Sequence, residues 1–467
     1  MQLSSLKWGI LAAAGVAASA PAFAQCTPPA TVNGPDVIVG DMPNVTNYSS
    51  VGTVDAFSFG TTSCNIGNVW LNWIASTNQH PVIGQHLYKL KRMPDGSTRF
   101  EQLGQSWLKH GFFALSQNLC CSNCSATDGS HLGVHCSDPY TSSRNGTQSS
   151  AGPKWQVNAA TGVFTYPPAN PAWNGSVARR LQVKAEDLEA SSTNVLYFIE
   201  TQYVTNDDAA AGNKNNNASY RQVTMSGSGS SWNAGLTGST QRTMQGVRAW
   251  AANANNVSVK DVEVDGLILL AFQVTDIGNG QWHYEYVVQN MNSDRSVGAV
   301  AFTCPPGVTI TNIGFNDVDY HSGDGIGSQN FSGTDWANSI GGGEISWSTE
   351  AYATNQSANA IRWGTSYTFR FDANTPPGPG TATLTLFKPG TPTSATITGI
   401  STPTAPPEPN PGDVDGDGDV DLADLAALLA SYGQCAGDGG YNAAADFDDS
   451  GCVDLGDLSI LLSNYGG

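Results

Sequence analysis

The fold class of this chain is decided by three neighbouring segments: Leu267-Ile-Leu-Leu-Ala-Phe-Gln-Val274, Gly278-Asn-Gly280 and Trp282-His-Tyr-Glu-Tyr-Val-Val288. The first and third are rich in β-branched and aromatic residues, and the second is a turn sequence. In the third segment aromatic or apolar residues alternate with His and Glu, which predicts a strand with one buried face. The stretch therefore predicts a β-hairpin.

Short β-rich runs of this kind recur along the chain between segments rich in Pro, Gly, Asn, Ser and Thr. They are Val54–Phe59, Val69–Ile74, His86–Lys91, Val195–Val204, Val257–Val264, Tyr367–Phe371 and Thr381–Phe387. Helical periodicity is nearly absent, and we predict one short body helix, at Val183–Glu189. Regular short strands with turn signals indicate sandwiches or barrels. We predict a mainly β protein: a β-sandwich body of two β-rich domains and a small α-helical C-terminal module.

Composition changes along the chain predict five segments. Residues 1–24 match a secretory signal peptide, with Lys7 before a short apolar core and Ala22-Phe-Ala24 before the cleavage point. Residues 205–245 are strand-poor and dense in Asn, Ser, Gly and Ala, which indicates a boundary. The predicted segments are a signal peptide (1–24), a β-rich N-terminal domain with a disulfide-rich loop (25–245), a β-sandwich domain (246–400), a Pro-rich linker (401–411) and a small C-terminal module (412–467), which is described below.

The net charge of −19 is concentrated in the tail, because residues 411–467 hold 12 acidic residues and no Lys or Arg. The rest of the chain has no basic stripe, so we expect no nucleic-acid partner. No run after the signal is long and apolar enough to span a bilayer. We therefore expect a secreted protein, extracellular or at the cell surface.

The tail contains one twelve-residue loop twice, at a period of 33 residues. The copies run Asp413-Val-Asp-Gly-Asp-Gly-Asp-Val-Asp-Leu-Ala-Asp424 and Asp446-Phe-Asp-Asp-Ser-Gly-Cys-Val-Asp-Leu-Gly-Asp457. Oxygen-bearing side chains at loop positions 1, 3, 5, 9 and 12, with Gly at position 6, match a calcium loop. The predicted ligands of two Ca²⁺ sites are Asp413, Asp415, Asp417, the Asp419 carbonyl, Asp421 and Asp424, then Asp446, Asp448, Ser450, the Cys452 carbonyl, Asp454 and Asp457.

An apolar helix is predicted after each loop. Leu422, Leu425, Leu428 and Leu429 repeat at helical spacing, as do Leu455, Leu458, Leu461 and Leu462, and each run ends at Tyr-Gly. An acidic disordered tail, the alternative, would not carry these matched apolar faces. Because crowded carboxylates repel each other, we expect the loops to order as Ca²⁺ binds, and the second loop, with Ser450, to bind more weakly.

The tandem loop–helix pair behind a Pro-rich linker resembles a type I dockerin over 57 of the 467 residues. The resemblance implies binding to a cohesin-like module on a scaffold or cell surface, and a role in polysaccharide binding or degradation. In that family the partner surface rests on loop positions 10 and 11, which here are Leu422-Ala423 and Leu455-Gly456. The two faces differ, so we expect one dominant binding mode through the first helix. A calcium-stabilised cap without a cohesin partner is the alternative.

All nine cysteines follow the signal and are expected to form disulfides in an exported protein. Cys435 and Cys452 both lie in the module, and we predict that they pair. The other seven are an odd number, so one thiol should remain free. We predict a bridged cluster among Cys120, Cys121, Cys124 and Cys136.

The body offers two kinds of candidate catalytic site. Glu101, Glu200, Glu285, Glu344 and Glu350 lie in strand patterns or near aromatic residues and are candidates for a glycosidase pair. The Cys120–Cys136 segment could bind zinc only if its cysteines were reduced. A His-only copper or zinc site from His80, His110, His131 and His135 would instead indicate an oxidoreductase.

Aromatic residues are also candidates for sugar stacking. Trp173, Trp232 and Trp336 lie in polar loop sequences and are the better binding candidates, whereas Trp282 and Trp347 lie in strand patterns and are expected in the core. The preferred interpretation is a secreted β-sandwich protein attached through a dockerin-like module. The alternatives are an enzyme, with glycoside hydrolase the first class to test, and a purely structural surface protein.

Overall fold

The computed structural model of the protein describes residues 32–466 apart from 112, 148, 150, 170–174 and 407–409. The signal peptide expected at 1–24, Cys26 and Trp173 lie outside the described residues. The chain forms two compact units, one up to Thr404 and the other Ala405–Gly467. We call the first unit the body and the second the terminal unit.

The N-terminal half of the body, residues 32–245, contains strands β1 to β17 and two short helices. In chain order the strands are Val37–Asp41, Val45–Val51, Val54–Phe59, Thr61–Asn65, Leu71–Asn72, Val82–Arg92, Thr98–Gln105, Leu108–His110, His131–Leu132, Ser137–Tyr140, Ala151–Gly152, Val157–Asn158, Val163–Phe164, Leu181–Lys184, Val195–Val204, Ala218–Ser228 and Ser231–Leu236. Helices α1 and α2 span Ser142–Asn145 and Asn206–Ala211. Ten of the strands form one antiparallel sheet with the path β17-β16-β15-β6-β7-β14-β3-β2, and β8 and β11 extend it beside β6.

The C-terminal half of the body, residues 246–404, contains helix α3 (Arg248–Asn253) and strands β18 to β27. In chain order these strands are Ser258–Glu263, Leu267–Gly278, Gln281–Asn290, Val297–Thr303, Ile310–Asn316, Ala337–Gly341, Glu344–Ser348, Thr365–Ala373, Pro377–Leu386 and Ser394–Pro403. They form two five-stranded antiparallel sheets, β18-β19-β20-β25-β22 and β23-β24-β21-β26-β27. Tyr286 and Phe371 of one sheet pack with Phe302 and Trp347 of the other in a shared core. The mainly β fold class with a sandwich-like body is confirmed.

The hairpin predicted at residues 267–288 is formed by β19 and β20. Its two turn residues, Asn279 and Gly280, have φ values of +55° and +69°, as a type I′ turn requires. Only one face of β20 was expected to be buried, and this is wrong. Tyr284 and Tyr286 pack in the sandwich core, while Val287 on the opposite face packs against Tyr88 and Phe100 of the ten-stranded sheet.

The two halves of the body therefore share a core, although no described strand before residue 245 pairs with one after it. Trp250 of α3 stacks on Phe100 at 6.1 Å between ring centroids and donates its indole hydrogen to Thr98. The sheet β18-β19-β20-β25-β22 is the middle of three layers, and each of its faces packs on a different sheet.

Three local expectations in the body are wrong. Residues 205–245 are not strand-poor, since they contain β16 and β17, in which polar and apolar residues alternate. The helix expected at Val183–Glu189 is instead the end of β14 followed by a single 3₁₀ turn at Ala185–Asp187. The last body strand, β27, runs to Pro403, so the spacer begins later than residue 401.

The terminal unit has two ten-residue helices, α4 (Leu422–Ser431) and α5 (Leu455–Asn464), and a 3₁₀ turn at Ala443–Ala445. Each helix starts one residue after position 9 of its loop, as the sequence predicts. Leu428 and Leu461 are fully buried in a small core with Val420 and Val453. None of the described helices is long and apolar enough to cross a bilayer.

Candidate functional site

The first loop of the terminal unit is organised by the carboxylates at its two ends. Asp424 Oδ1 accepts hydrogen bonds from the backbone N–H groups of Val414 (2.7 Å) and Asp415 (3.2 Å), and its Oδ2 accepts one from Asp421 N (2.8 Å). Asp413 Oδ2 accepts a hydrogen bond from Gly418 N at 3.0 Å. The side chain at position 12 thus returns to the start of the loop and closes it.

The second loop repeats this geometry. Asp457 Oδ1 accepts from Phe447 N (2.6 Å) and Asp448 N (3.3 Å), and its Oδ2 accepts from Asp454 N (2.8 Å). Asp446 Oδ2 accepts from Gly451 N at 2.9 Å. Equivalent residues, 33 positions apart, therefore have the same hydrogen-bond roles.

The two repeats are also locked to each other reciprocally. Gly433 N, after α4, donates to the carbonyl of Val453 in the second loop (2.7 Å), and Gly466 N, after α5, donates to the carbonyl of Val420 in the first (2.8 Å). The disulfide Cys435–Cys452 adds a covalent link between the segment after α4 and the second loop, as predicted. Each loop is thus held by the helix end of the other repeat.

Carboxylates of both loops converge closely enough to hold a metal ion. Their oxygen atoms lie within 4.8 Å of one another in three groups: Asp413 with Asp415 and Asp424, Asp419 with Asp421 and Asp424, and Asp446 with Asp448 and Asp457. Asp417, Ser450 and Asp454 are not in these groups, and Ser450 Oγ instead donates to the Cys452 carbonyl (3.1 Å). The donors are all hard oxygen atoms, which fits a hard cation.

The exposed surface of α4 and α5 is apolar in matching places. The exposed fractions are 68% for Leu422 and 66% for Leu455, 53% for Leu429 and 55% for Leu462, and 42% for Tyr432 and 48% for Tyr465. The residues between them differ, because exposed Ala426 and Ala430 of α4 correspond to Ser459 and Ser463 of α5. The terminal unit thus presents two related apolar faces, of which that on α4 is the less polar.

Cysteines of the body form disulfides, and this excludes the cysteine-ligated zinc site. Cys64 pairs with Cys120 and Cys124 with Cys136, and Cys121 is also disulfide-bonded. The predicted bridged cluster is therefore confirmed in part, because Cys120 reaches outside it. Cys304 is a buried free thiol, the odd cysteine that the count requires.

The His-only metal site is not formed. His80 Nε2 and His110 Nδ1 bond directly to each other at 2.9 Å, inside a cage of Phe164 and Tyr166. His131 lies elsewhere, with its ring tilted against that of Trp70 at 5.4 Å between centroids and hydrogen-bonded to Asp128. Among the described residues, histidine joins none of the groups that could hold a metal ion. Burial lowers the pKa of His80 to about 4 and that of His110 to about 3, so both rings are neutral at pH 7.

Two of the carboxylate candidates, Glu101 and Glu285, face each other between the sheets. Their Oε1 atoms lie 3.8 Å and 3.9 Å from Nε of Arg99, and Glu285 also accepts a hydrogen bond from His283 (3.0 Å). The side chain of Glu285 is fully buried, so this pair offers no open face to a substrate. Glu344 and Glu350 are exposed rim residues.

Glu200 has a different environment, a buried charge network between the halves of the body. It pairs across strands β15 and β6 with His86, whose Nδ1 lies 2.7 Å from Glu200 Oε1. His86 Nε2 accepts from Lys154 Nζ at 2.8 Å, which also donates to Gln105 and to the Gly364 carbonyl. These contacts place one proton on His86 Nδ1 and satisfy all three hydrogens of the lysine. Burial lowers the pKa of Lys154 to about 7.

Trp336 and Trp232, which the sequence predicted to be ligand-binding residues in polar loops, are buried. Trp336 is 3% exposed and Trp232 8% exposed, and both belong to cores. Trp347 is buried in the sandwich core as expected, and Trp282 packs on its edge. Polar sequence neighbours misled the prediction, because both indoles turn inward from short loops or edge strands.

Comparisons with known proteins give no family. No protein-family model matches the chain, and no curated protein matches it. Among solved structures, the chain is similar to a serine-rich repeat protein (Srr2) from Streptococcus agalactiae at 7% identity and a TM-score of 0.19, over 78% of this chain and 90% of that chain. A TM-score this low supports no conclusion about fold or function.

Proposed function

We propose that this is an exported protein whose terminal unit binds two Ca²⁺ ions and docks the β body to a cohesin-like module on a scaffold or cell-surface assembly. The observation that carries the proposal is the pair of exposed apolar helix faces, each directly following a loop of convergent carboxylates. Disulfides in both units are typical of proteins from oxidising compartments.

Calcium is the cation that suits these loops best. Asp413, Asp415 and Asp424 would hold the first ion and Asp446, Asp448 and Asp457 the second. Ca²⁺ accepts six to eight oxygen ligands at flexible geometry, whereas zinc prefers nitrogen and sulfur donors. The ion would neutralise carboxylates whose mutual repulsion raises the pKa of Asp419.

The face on α4 should bind the partner more tightly than the face on α5. Leu422 and Leu455 are equally exposed, so the difference arises from their neighbours. Ala423, Ala426 and Ala430 continue the apolar surface of α4, while α5 offers Gly456 and two serines at these positions. Burying a leucine contributes about 1.5–3 kcal/mol, so loss of Leu422 from the preferred face should weaken binding tenfold or more.

The test is capture of the full-length protein by a recombinant cohesin panel with Ca²⁺ and with chelator. Leu422→Asp should abolish capture, and the matched change Leu455→Asp should alter it little. Leu428→Asp is unsuitable because Leu428 is fully buried. Equal losses from both exposed changes would show that the two faces bind alike. Absence of any calcium-dependent capture would leave the terminal unit as a structural cap.

The cargo of this attachment is the β body, for which we propose a role in polysaccharide binding or breakdown, as the dockerin resemblance implies. An oxidoreductase is disfavoured, because the histidines that it required are paired or dispersed. Stoichiometric copper or zinc in the purified protein would reverse this preference.

A further inference from the structure

Two buried carboxylates and two asparagine side chains meet where the start of β1 packs on the segment between β15 and β16. Asp36 directly precedes β1, Asp208 lies in α2, and Asn216 and Asn217 lie directly before β16. Asp36 and Asp208 are 0% exposed, and Asn217 is 2% exposed. The group thus combines charged and polar oxygen atoms in the interior of the body.

The contacts of these side chains place them side by side. Asp208 Oδ2 accepts a hydrogen bond from Val37 N at 2.7 Å, so its carboxylate lies against the residue that follows Asp36. Asp36 Oδ2 accepts a hydrogen bond from Asn216 Nδ2 at 3.0 Å. The side chain of Asn217 lies beside the carboxylate of Asp208. Each carboxylate therefore has one amide as its neighbour.

The segment that carries Asp36 is held firmly against α2. Asn213 Nδ2 donates a hydrogen bond to the Pro35 carbonyl at 2.9 Å. Gly34 has a φ of +88°, and a Cβ atom at this position would lie 2.8 Å from the Cβ of Ala211. Glycine allows both the positive φ and the close approach. The position of the Asp36 carboxylate is therefore fixed by the backbone on either side of the contact.

One oxygen atom of each side chain has no hydrogen-bond partner among the described residues. These atoms are Asp36 Oδ1, Asp208 Oδ1, Asn216 Oδ1 and Asn217 Oδ1, and all four are buried. Buried polar atoms in folded proteins nearly always have a partner, which is a protein group, an ordered water molecule or an ion. Four unpaired acceptors in one place therefore indicate that something else binds there.

The charges of the group favour a cation over a water molecule. Burial raises the pKa of Asp36 to about 6, and burial together with the charge of Asp36 raises the pKa of Asp208. Lys214, the cation of the same segment, donates instead to two backbone carbonyls. A water molecule would complete hydrogen bonds but would leave two buried negative charges without a counter-ion, which is costly. A divalent cation would satisfy the oxygen atoms and neutralise both charges.

We propose that the Asp36 and Asp208 carboxylates, together with the two asparagine side-chain oxygens, bind one Ca²⁺ ion in the body, separate from the loops of the terminal unit. Carboxylate and amide oxygens are hard donors, which suit Ca²⁺ better than zinc or copper. Mg²⁺ usually keeps several water molecules and takes only one or two protein carboxylates, so a buried set of four protein oxygens fits Ca²⁺ better. The ion joins the segment before β1 to the segment after β15 and so stabilises the body.

The test is equilibrium dialysis of the full-length, disulfide-bonded protein with radioactive calcium at about 1 mM, the concentration range of extracellular calcium sites. Every protein in the series carries Asp424→Ala and Asp457→Ala, which disable the two loops of the terminal unit. This loop-disabled chain should still bind one Ca²⁺ ion. Adding either Asp36→Asn or Asp208→Asn should remove that ion, because each change takes away one of the two carboxylates.

Asp138→Asn, added to the same loop-disabled chain, is the matched control. Asp138 is 1% exposed, accepts a hydrogen bond from Leu115 N at 2.9 Å through Oδ1, and has no partner for Oδ2. Its charged neighbour is Arg144 and not a second carboxylate, so this change should leave the bound calcium unaltered. The proposal is overturned if the loop-disabled chain binds no calcium, if both ligand changes leave the calcium in place, or if Asp138→Asn removes it equally.

Unfolding of the body gives a second readout that does not depend on the ligand variants. The terminal unit contains no tryptophan, so tryptophan fluorescence follows the body alone. Ca²⁺ should raise the urea midpoint of the loop-disabled chain above its midpoint in chelator, because the ion binds only the folded state. Equal midpoints would overturn the proposal and would indicate a proton shared by the two carboxyl groups. Since the loops are disabled throughout, failure here is distinguishable from failure of the docking proposal.

Discussion

Replacing Glu200 by Gln should destabilise the body by about 3–5 kcal/mol, the usual cost of removing one partner from a buried ion pair. Glu200 is 1% exposed, and its Oε2 accepts hydrogen bonds from Gln289 Nε2 (2.7 Å) and Gly246 N (2.5 Å). Although burial raises the pKa of this carboxyl, the hydrogen bonds that it accepts from His86, Gly246 and Gln289 hold that pKa below its usual value.

An amide at this position fails for two reasons. The amide oxygen can still accept a hydrogen bond from His86 Nδ1. The amide nitrogen, itself a donor, would face Gly246 N and Gln289 Nε2, the two donors that now bond to Glu200 Oε2. The negative charge that offsets Lys154 through His86 would also be lost. Since Gln289 belongs to the middle sheet and Glu200 to the ten-stranded sheet, the damage falls on the seam between the halves of the body.

The assay is urea unfolding followed by tryptophan fluorescence, with Glu189→Gln as the control. Glu189 is 39% exposed and pairs with the equally exposed Lys91 at 2.8 Å, so its loss should cost no more than about 1 kcal/mol. A loss for Glu200→Gln as small as that of the control would show that this charge network does not stabilise the body.

Three further changes test other parts of the structure. Converting both Cys435 and Cys452 to Ser removes a disulfide that spans 17 residues and should destabilise the terminal unit by about 3 kcal/mol. The helical circular dichroism signal should then be lost at a lower temperature, and an unchanged melting temperature would contradict this. Burial lowers the pKa of His110 from 6.5 to about 3, so below pH 6.5 only the unfolded chain takes up a proton at this ring, and the folded state loses stability. His110→Gln should remove this loss, which reaches about 1.4 kcal/mol per pH unit. Parallel curves of unfolding free energy against pH for the two proteins would contradict this. Asp424→Ala should lower Ca²⁺ affinity of the first loop by more than about tenfold and spare the second, as resolved by calorimetry; equal losses at both sites would contradict it.

Local patterns in the sequence predicted the most regular strands of the body and the two helices of the terminal unit, but many of the shorter or more polar strands were missed. The bounds of β3 and β15 agree with the runs Val54–Phe59 and Val195–Val204, because alternation and β-branched residues are properties of adjacent positions. The helices after the two loops were predicted for the same reason, since capping aspartates and leucine spacing lie within one short segment.

Long-range packing could not be read in this way. Trp336 lies in a polar loop sequence, yet its indole packs on Phe315 and Phe369 from strands far along the chain. The second buried face of β20 arises from the ten-stranded sheet, which no periodicity in β20 itself encodes.

The partners of Glu200 in the body could not be predicted from the sequence either. Glu200 stood out in an apolar strand, but its partners His86 and Lys154 are 114 and 46 residues away in sequence, and nothing local connects them. The calcium loops were legible because all their ligands lie within twelve residues.

The central claim, that the terminal unit is a calcium-ordered docking module, is tested most directly by hydrogen exchange of the full-length protein in chelator and during Ca²⁺ titration. We expect the terminal unit of each chain to bind two Ca²⁺ ions, with amide protection appearing across residues 422–431 and 455–464 as the ions bind. Full protection of both helices in chelator, or no Ca²⁺ uptake at millimolar concentration, would contradict it.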